Sequence, residues 1–120
     1  MQYALLIYGE ERVWEARSGT EESAVVEEYG QLGDALRGQS KLIRGEELQP
    51  VATATTVQVR GGDAVVTDGP FADTKEVLGG FFLIEADSLD EAIEWAGRIP
   101  DARYGTIEVR PLVDHSGSGA

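Results

Sequence analysis

The chain opens on six consecutive apolar residues, Tyr3 to Tyr8 (YALLIY). The absence of alternation predicts a strand covered on both faces rather than one. Gly9-Glu10-Glu11 ends it, and a polar connection carrying only Val13 and Trp14 as large apolar groups runs to about Gly19. Thr20 is placed to cap a helix, with Glu21 and Glu22 at its positive end. Val25, Tyr29, Leu32 and Leu36 then recur at helical spacing, and Gly38 suits the C-terminal end. Gly30 and Gly33 inside this helix cost about 1 kcal/mol each relative to alanine, a cost that close approach to a sheet would explain.

Lys41 to Gln49 (KLIRGEELQ) predicts a second strand with a bulge at Gly45, ended by Pro50. Thr53 to Arg60 sets Val57 and Val59 on one side, and after the turn Gly61-Gly62-Asp63 the run Ala64 to Thr67 pairs back as a hairpin. Gly79 to Ala86 (GGFFLIEA) is another strand without alternation. Ser88 and Glu91 are spaced as a capping box for a second helix with Leu89, Ala92, Ile93, Ala96 and Ile99 as its buried stripe and Trp95 on the flank. Pro100 stops that helix, and Gly105 to Leu112 forms the last strand. The order βαβ, hairpin, βαβ predicts an α+β ferredoxin-like sandwich with an inserted β-hairpin over residues 1–113. Residues 114–120 (DHSGSGA) have the composition of a disordered tail.

Two helices cover only one face of such a sheet. Phe81 and Leu83 point opposite to Phe82 and Ile84, and Tyr3, Leu5 and Ile7 point opposite to Ala4, Leu6 and Tyr8. Either set left bare is an apolar patch of a size that monomers rarely expose. Sheet-on-sheet homodimerisation, closing a dimeric α/β barrel, is the expected remedy; a long loop folded over that face is the other one.

Charge and composition narrow the function. The 120 residues carry 22 Asp and Glu against 10 Lys and Arg, a net charge of −12. Such a surface repels phosphate backbones and anionic lipid, so no direct nucleic-acid or membrane partner is expected. The start of the chain lacks the basic region of a signal peptide, which points to the cytoplasm. There is no cysteine and a single histidine, His115, in the tail. Thiolate chemistry and Cys-ligated metal are excluded. Gly61-Gly62 and Gly79-Gly80 match no phosphate-binding motif, and no cofactor or metal is expected.

Chemistry concentrates around Asp68-Gly69-Pro70-Phe71. An aspartate there would ordinarily bond the amide two residues on, but Pro70 has none. Asp68 must use the Phe71 amide, Lys75 or nothing, and so is the candidate catalytic acid–base; the plain alternative is a turn with Phe71 plugging the core. Asp73, Lys75 and Glu76 follow closely. One of Glu46 and Glu47 should point inward and need Arg44, Arg60, Arg103 or Arg110. Glu46, Lys75, Glu76 and Arg110 are the candidate ligand-binding groups.

The same residues carry a resemblance. YALLIYGEE with Trp14, then GEELQP and ATTVQVR, VTDGPFADTKEVLGGFFLIEA, LDEAIEWAGRIP and GTIEVRP together resemble the YCII-related superfamily in its DGPF-domain branch, over about residues 1–112. The resemblance implies a dimeric α/β barrel of unassigned biochemical role, in some members linked to extracytoplasmic-function sigma factors. Other YCII-like proteins carry a His/Asp pair proposed as a catalytic dyad; its aspartate maps to Asp68, and its histidine has no counterpart within residues 1–112. The expected function is therefore that of a homodimeric module binding a small polar ligand or a regulatory protein. The alternative is a small-molecule enzyme using Asp68 for acid–base chemistry.

Overall fold

The two unbroken apolar runs find each other. In the computed structural model, which describes residues 1–116, β1 (Gln2–Gly9) and β5 (Val77–Glu85) pair antiparallel at the centre of a four-stranded sheet. β2 (Leu42–Glu47) flanks β5 and β6 (Thr106–Pro111) flanks β1, giving the order β2-β5-β1-β6 with every neighbour antiparallel. Each half of the chain thus supplies one central and one edge strand, the interleaved order of a split βαβ pair. The fold is α+β.

Two helices, α2 (Gly19–Gly38) and α3 (Leu89–Gly97), share the core with one face of the sheet. Tyr3, Leu5, Ile7 and Ile84 pack there with Leu32, Leu36, Trp95 and Ile99. The stripe expected on the first long helix holds: Val25, Leu32 and Leu36 are buried and Tyr29 is half-buried. Its cap is Ser18 rather than Thr20. The Ser18 hydroxyl accepts from the Glu21 amide (3.1 Å) while the Glu21 carboxylate takes the Ser18 amide (3.3 Å), a reciprocal pair that Thr20 cannot make. Gly30 gains no close approach to the sheet, since a side chain there would meet open space. The polar connection before this helix itself folds into a short helix, α1 (Glu11–Glu15).

In α3 the burial differs from the expected stripe. Trp95 is 5% exposed, whereas Leu89 and Ile93 are about half exposed. Seating the larger indole against the sheet buries more apolar area than either aliphatic chain. Ser88 accepts from the Glu91 amide as expected, but the Glu91 carboxylate turns to the Asp87 amide, Lys41 and the Trp95 indole, so the box is only half made. The irregularity in β2 falls between Leu42 and Arg44, not at Gly45. Gly45 answers a different need: a Cβ there would lie 2.8 Å from the Phe82 ring.

The opposite face of the sheet carries Ala4, Leu6, Tyr8, Phe81 and Leu83. The last two are cross-strand partners of Leu6 and Ala4. Apart from small, buried Ala4, these side chains are only half-buried. β3 (Thr55–Arg60) and β4 (Asp63–Asp68) form a separate two-stranded ribbon, an arm springing from the end of the sheet where β2 leaves and β5 enters. One face of the arm is apolar: Val57 pairs with Val66 and Val59 with Ala64, and the three valines are 60–64% exposed. The arm flattens the subunit to 49 × 48 × 18 Å, with a radius of gyration of 16.7 Å where a compact chain of this length reaches roughly 14 Å. Of the expected tail, the Ser116 amide donates to Asp114 (2.8 Å), and residues 117–120 lie outside the described residues.

Ile84, fully buried at the centre of the sheet, sets the scale of the core. Ile84→Ala is expected to cost about 2–5 kcal/mol and Ser18→Ala only about 1 kcal/mol, read as shifts in the urea midpoint at unchanged slope.

Candidate functional site

A cleft of about 830 Å³ opens between α2 and the β2–β5 edge of the sheet, lined among others by Trp14, Tyr29, Leu42, Gly79, Gly80 and Phe82. Its geometry begins with two glycines. A Cβ at Gly9 or at Gly79 would lie 2.5 Å from the Trp14 indole, so the ring occupies a seat that any side chain would fill. The tight turn from β1 into α1 delivers Trp14 to that seat, and the indole Nε1 donates to Asp101 Oδ1 at 3.0 Å.

Asp101 is the hub of the site. It lies in the 3₁₀ turn Pro100–Arg103 after α3 and is the one buried charged residue among those described, 6% exposed. Its carbonyl accepts from the Tyr104 and Gly105 amides (3.1 and 2.8 Å), which fixes the turn. Arg17 Nη2 donates to Oδ1 at 2.6 Å and Tyr29 Oη to Oδ2 at 2.5 Å. Three donors from α1, the α1–α2 connection and α2 therefore converge on one carboxylate. The Arg17 guanidinium also lies 5.5 Å from the Tyr104 ring and 3.8 Å from Glu22.

These contacts set the protonation of the group. Burial raises the Tyr29 phenol far above its ordinary value, reinforced by the hydrogen bond to Asp101 and by that carboxylate's charge. Burial opposes the charge on Arg17, but the Asp101 hydrogen bond and the charges of Asp101 and Glu22 outweigh it and raise the guanidinium further. Asp101, with both oxygens engaged, anchors the cleft wall. Three aromatic groups, Trp14, Tyr29 and Phe82, line the cleft together with carboxylates that include Glu11, Glu22 and Glu47. Tyr29 and Phe82 stack at 6.2 Å with 19° between their planes, a surface suited to a flat apolar group.

The family model for the YCII-related domain matches residues 1–116. The chain belongs to that family. An uncharacterized protein of Rhizobium meliloti (strain 1021) is 40% identical over 114 residues, covering 93% of this chain and 92% of the relative.

The YCII-related chain scatters the residues singled out from its sequence. Asp68 is exposed at the end of β4, opposite Thr55 on the arm, and is not among the residues lining the cleft. Gly69 takes φ +95° and its amide bonds the Ala54 carbonyl, so the turn is held without the Asp68 side chain. Phe71 is 87% exposed and does not plug the core. Lys75 reaches Glu10 (3.4 Å) rather than Asp68, and the Glu76 carbonyl accepts from the Thr74 hydroxyl. Glu46 borders the cleft and pairs with Arg44 (3.0 Å) while remaining exposed, so it needs no inward cation. Arg110 lies on the open face of the sheet beside Ala4, and His115 is exposed.

The hub of the YCII-related fold is less legible. Trp14 stands out as an apolar group in a polar stretch. Arg17 and Asp101, separated by 84 residues, carry no spacing that joins them, and Tyr29 reads as one more member of a helical stripe.

Replacing Asp101 by Leu strands the nearly buried Arg17 guanidinium without its main counter-ion. A loss of roughly 3–5 kcal/mol is expected, together with a red-shifted Trp14 emission. Alkaline stability supplies a second check. Tyr29 holds its proton more tightly folded than unfolded, so its contribution is complete below the unfolded value of 10.0 and is lost as pH rises beyond it. Tyr29→Phe should flatten the decline in denaturant midpoint above pH 10.

Proposed function

We propose that this protein is a homodimeric binding module that holds a small ligand in the cleft between α2 and β5, its two sheets packed face to face through the surface carrying Leu6 and Phe81. The observation that carries the reading is the pairing of a preformed cleft of about 830 Å³, its wall holding the Tyr29–Phe82 stack, with a clamp that engages both oxygens of its own carboxylate. That volume falls within the range of small-molecule sites, and such sites are mostly apolar with a few fixed polar groups. Binding is favoured over acid–base chemistry because both oxygens of Asp101 are already engaged by donors and Asp68 stands exposed on the arm.

The dimer rests on the half-covered sheet face. Completing the burial of Leu6, Tyr8, Phe81 and Leu83 gains on the order of 1 kcal/mol each per subunit. The face spans roughly 500 Å² by strand spacing and rise. A standard interface needs about 800 Å² a side, and the valine face of the arm supplies apolar surface towards the difference. A regulatory role, including the sigma-factor-linked one suggested by the resemblance, would run through ligand or protein contacts, since the net charge of −12 disfavours DNA.

Thermal-shift screening of a metabolite panel tests the cleft. A ligand that stabilises the wild type should lose its effect on Val26→Trp, a substitution at an exposed residue of the cleft wall, and keep it on Asp68→Asn. The reverse pattern would return the site to Asp68.

A further inference from the structure

The donors of the clamp all point at Asp101. The Trp14 indole, the Arg17 guanidinium and the Tyr29 hydroxyl each donate to its carboxylate, at 3.0, 2.6 and 2.5 Å. The other arginine bordering the cleft, Arg37, bonds Asp34 one turn back on α2 at 3.1 Å. Among the described residues no lysine, no histidine and no third arginine lines the cleft. Its positive charge is already matched within the chain.

The carboxylates of the cleft are not matched. Glu11 and Glu15 stand one turn apart on α1 and both border it. Glu47 ends β2, where it pairs with Gly80, while Gly45, two residues earlier, pairs with Phe82. Alternation along the strand sets Glu47 on the sheet face that carries the Phe82 ring, roughly 7 Å farther along. None of these three glutamates has an ion-pair partner among the described residues. Glu22, on α2, reaches Arg17 at 3.8 Å, but that guanidinium is held closer by Asp101. Surplus negative charge therefore comes from α1, α2 and β2, around the stacked rings of Tyr29 and Phe82.

We infer that the cleft takes a small organic cation, an ammonium group on a flat apolar body. The inference rests on the cleft reading given above and adds the charge class of the ligand. The body lies against the Tyr29–Phe82 stack, and the ammonium group points to Glu47 and the α1 carboxylates. Ring faces are themselves negative and attract cations, so the rings and the carboxylates favour the same charge. A flat anion would meet carboxylates on three sides and no uncommitted cation. A neutral ring would gain the stack alone. A bare metal ion is poorly served, since among the described residues no three His, Cys, Asp or Glu converge closely enough to hold one. Negative charge dispersed around an apolar wall suits a large, weakly hydrated cation instead.

Isothermal titration with three probes sharing one ring decides the charge class: tryptamine as cation, tryptophol as neutral form and indole-3-acetate as anion. Tryptamine should bind about tenfold more tightly than tryptophol, and indole-3-acetate more weakly than either. Glu47→Gln, at an exposed position, should raise the tryptamine dissociation constant about threefold, and Glu15→Gln added to it about tenfold in all, with tryptophol unchanged. Glu27→Gln, on α2 but outside the cleft lining, should alter neither. Tryptophol or indole-3-acetate binding as tightly as tryptamine overturns the inference, as does failure of all three to bind. A loss for Glu27→Gln equal to that for Glu47→Gln overturns it too, by reducing the attraction to the overall charge of −12. Tryptamine binding that survives Val26→Trp undiminished instead defeats the underlying reading of the cleft.

Discussion

Four segments of the chain meet at the carboxylate of Asp101. A buried aspartate is costly unless both oxygens are satisfied, and here the donors come from Trp14, Arg17 and Tyr29. They belong to a five-residue helix, a connecting bend and the middle of a long helix. Asp101 itself is set by the turn that ends α3. The clamp thus fixes α1 and α2 relative to the sheet, and the space left between them is the cleft. The chemistry of the site follows from this. Asp101, Arg17 and Tyr29 are spent on one another, and the Tyr29–Phe82 stack lies in a wall that also carries glutamates such as Glu11 and Glu47.

A second constraint is the imbalance between sheet and cover. The helices bury one face, and among the described residues no third element of comparable size buries the other. What the chain carries instead is a ribbon, β3–β4, that leaves the sheet altogether and presents valines to solvent. Two strands alone are marginally stable in water. The ribbon and the open face are therefore both shortfalls of a single subunit, and the dimer proposed above would relieve the two together.

Much of this architecture can be read from the residues. YALLIY and FFLI announce central strands because neither alternates, and their pairing follows from having apolar groups to hide on both sides. The helical stripe of Val25, Leu32 and Leu36 is equally plain. Local rules fail where a larger group overrides them: Trp95 turns α3 away from Leu89 and Ile93, and the reciprocal Ser18–Glu21 bonds outcompete Thr20 as a cap. The site is harder still. DGPF is the most conspicuous text in the chain, yet it closes an exposed turn, with Gly69 taking the left-handed conformation and Phe71 in solvent. Asp101 sits in an unremarkable turn after a proline, and only tertiary closure over 84 residues gives it Arg17. No period or spacing encodes such a contact.

The central strand pair also governs how the molecule comes into being. β1 precedes both of its neighbours in the chain: its partner β5 ends at Glu85 and its other neighbour, β6, at Pro111. Until then the stretch YALLIY has no native mate, and closing so long an intervening loop is slow relative to local helix formation. Closure of the sheet is therefore a late event relative to the synthesis of β1, whose apolar stretch waits exposed for strands that follow it by about seventy residues or more. The acidic residues that follow it at once, Glu10 and Glu11, stand where a nascent chain most needs a charge against premature self-association.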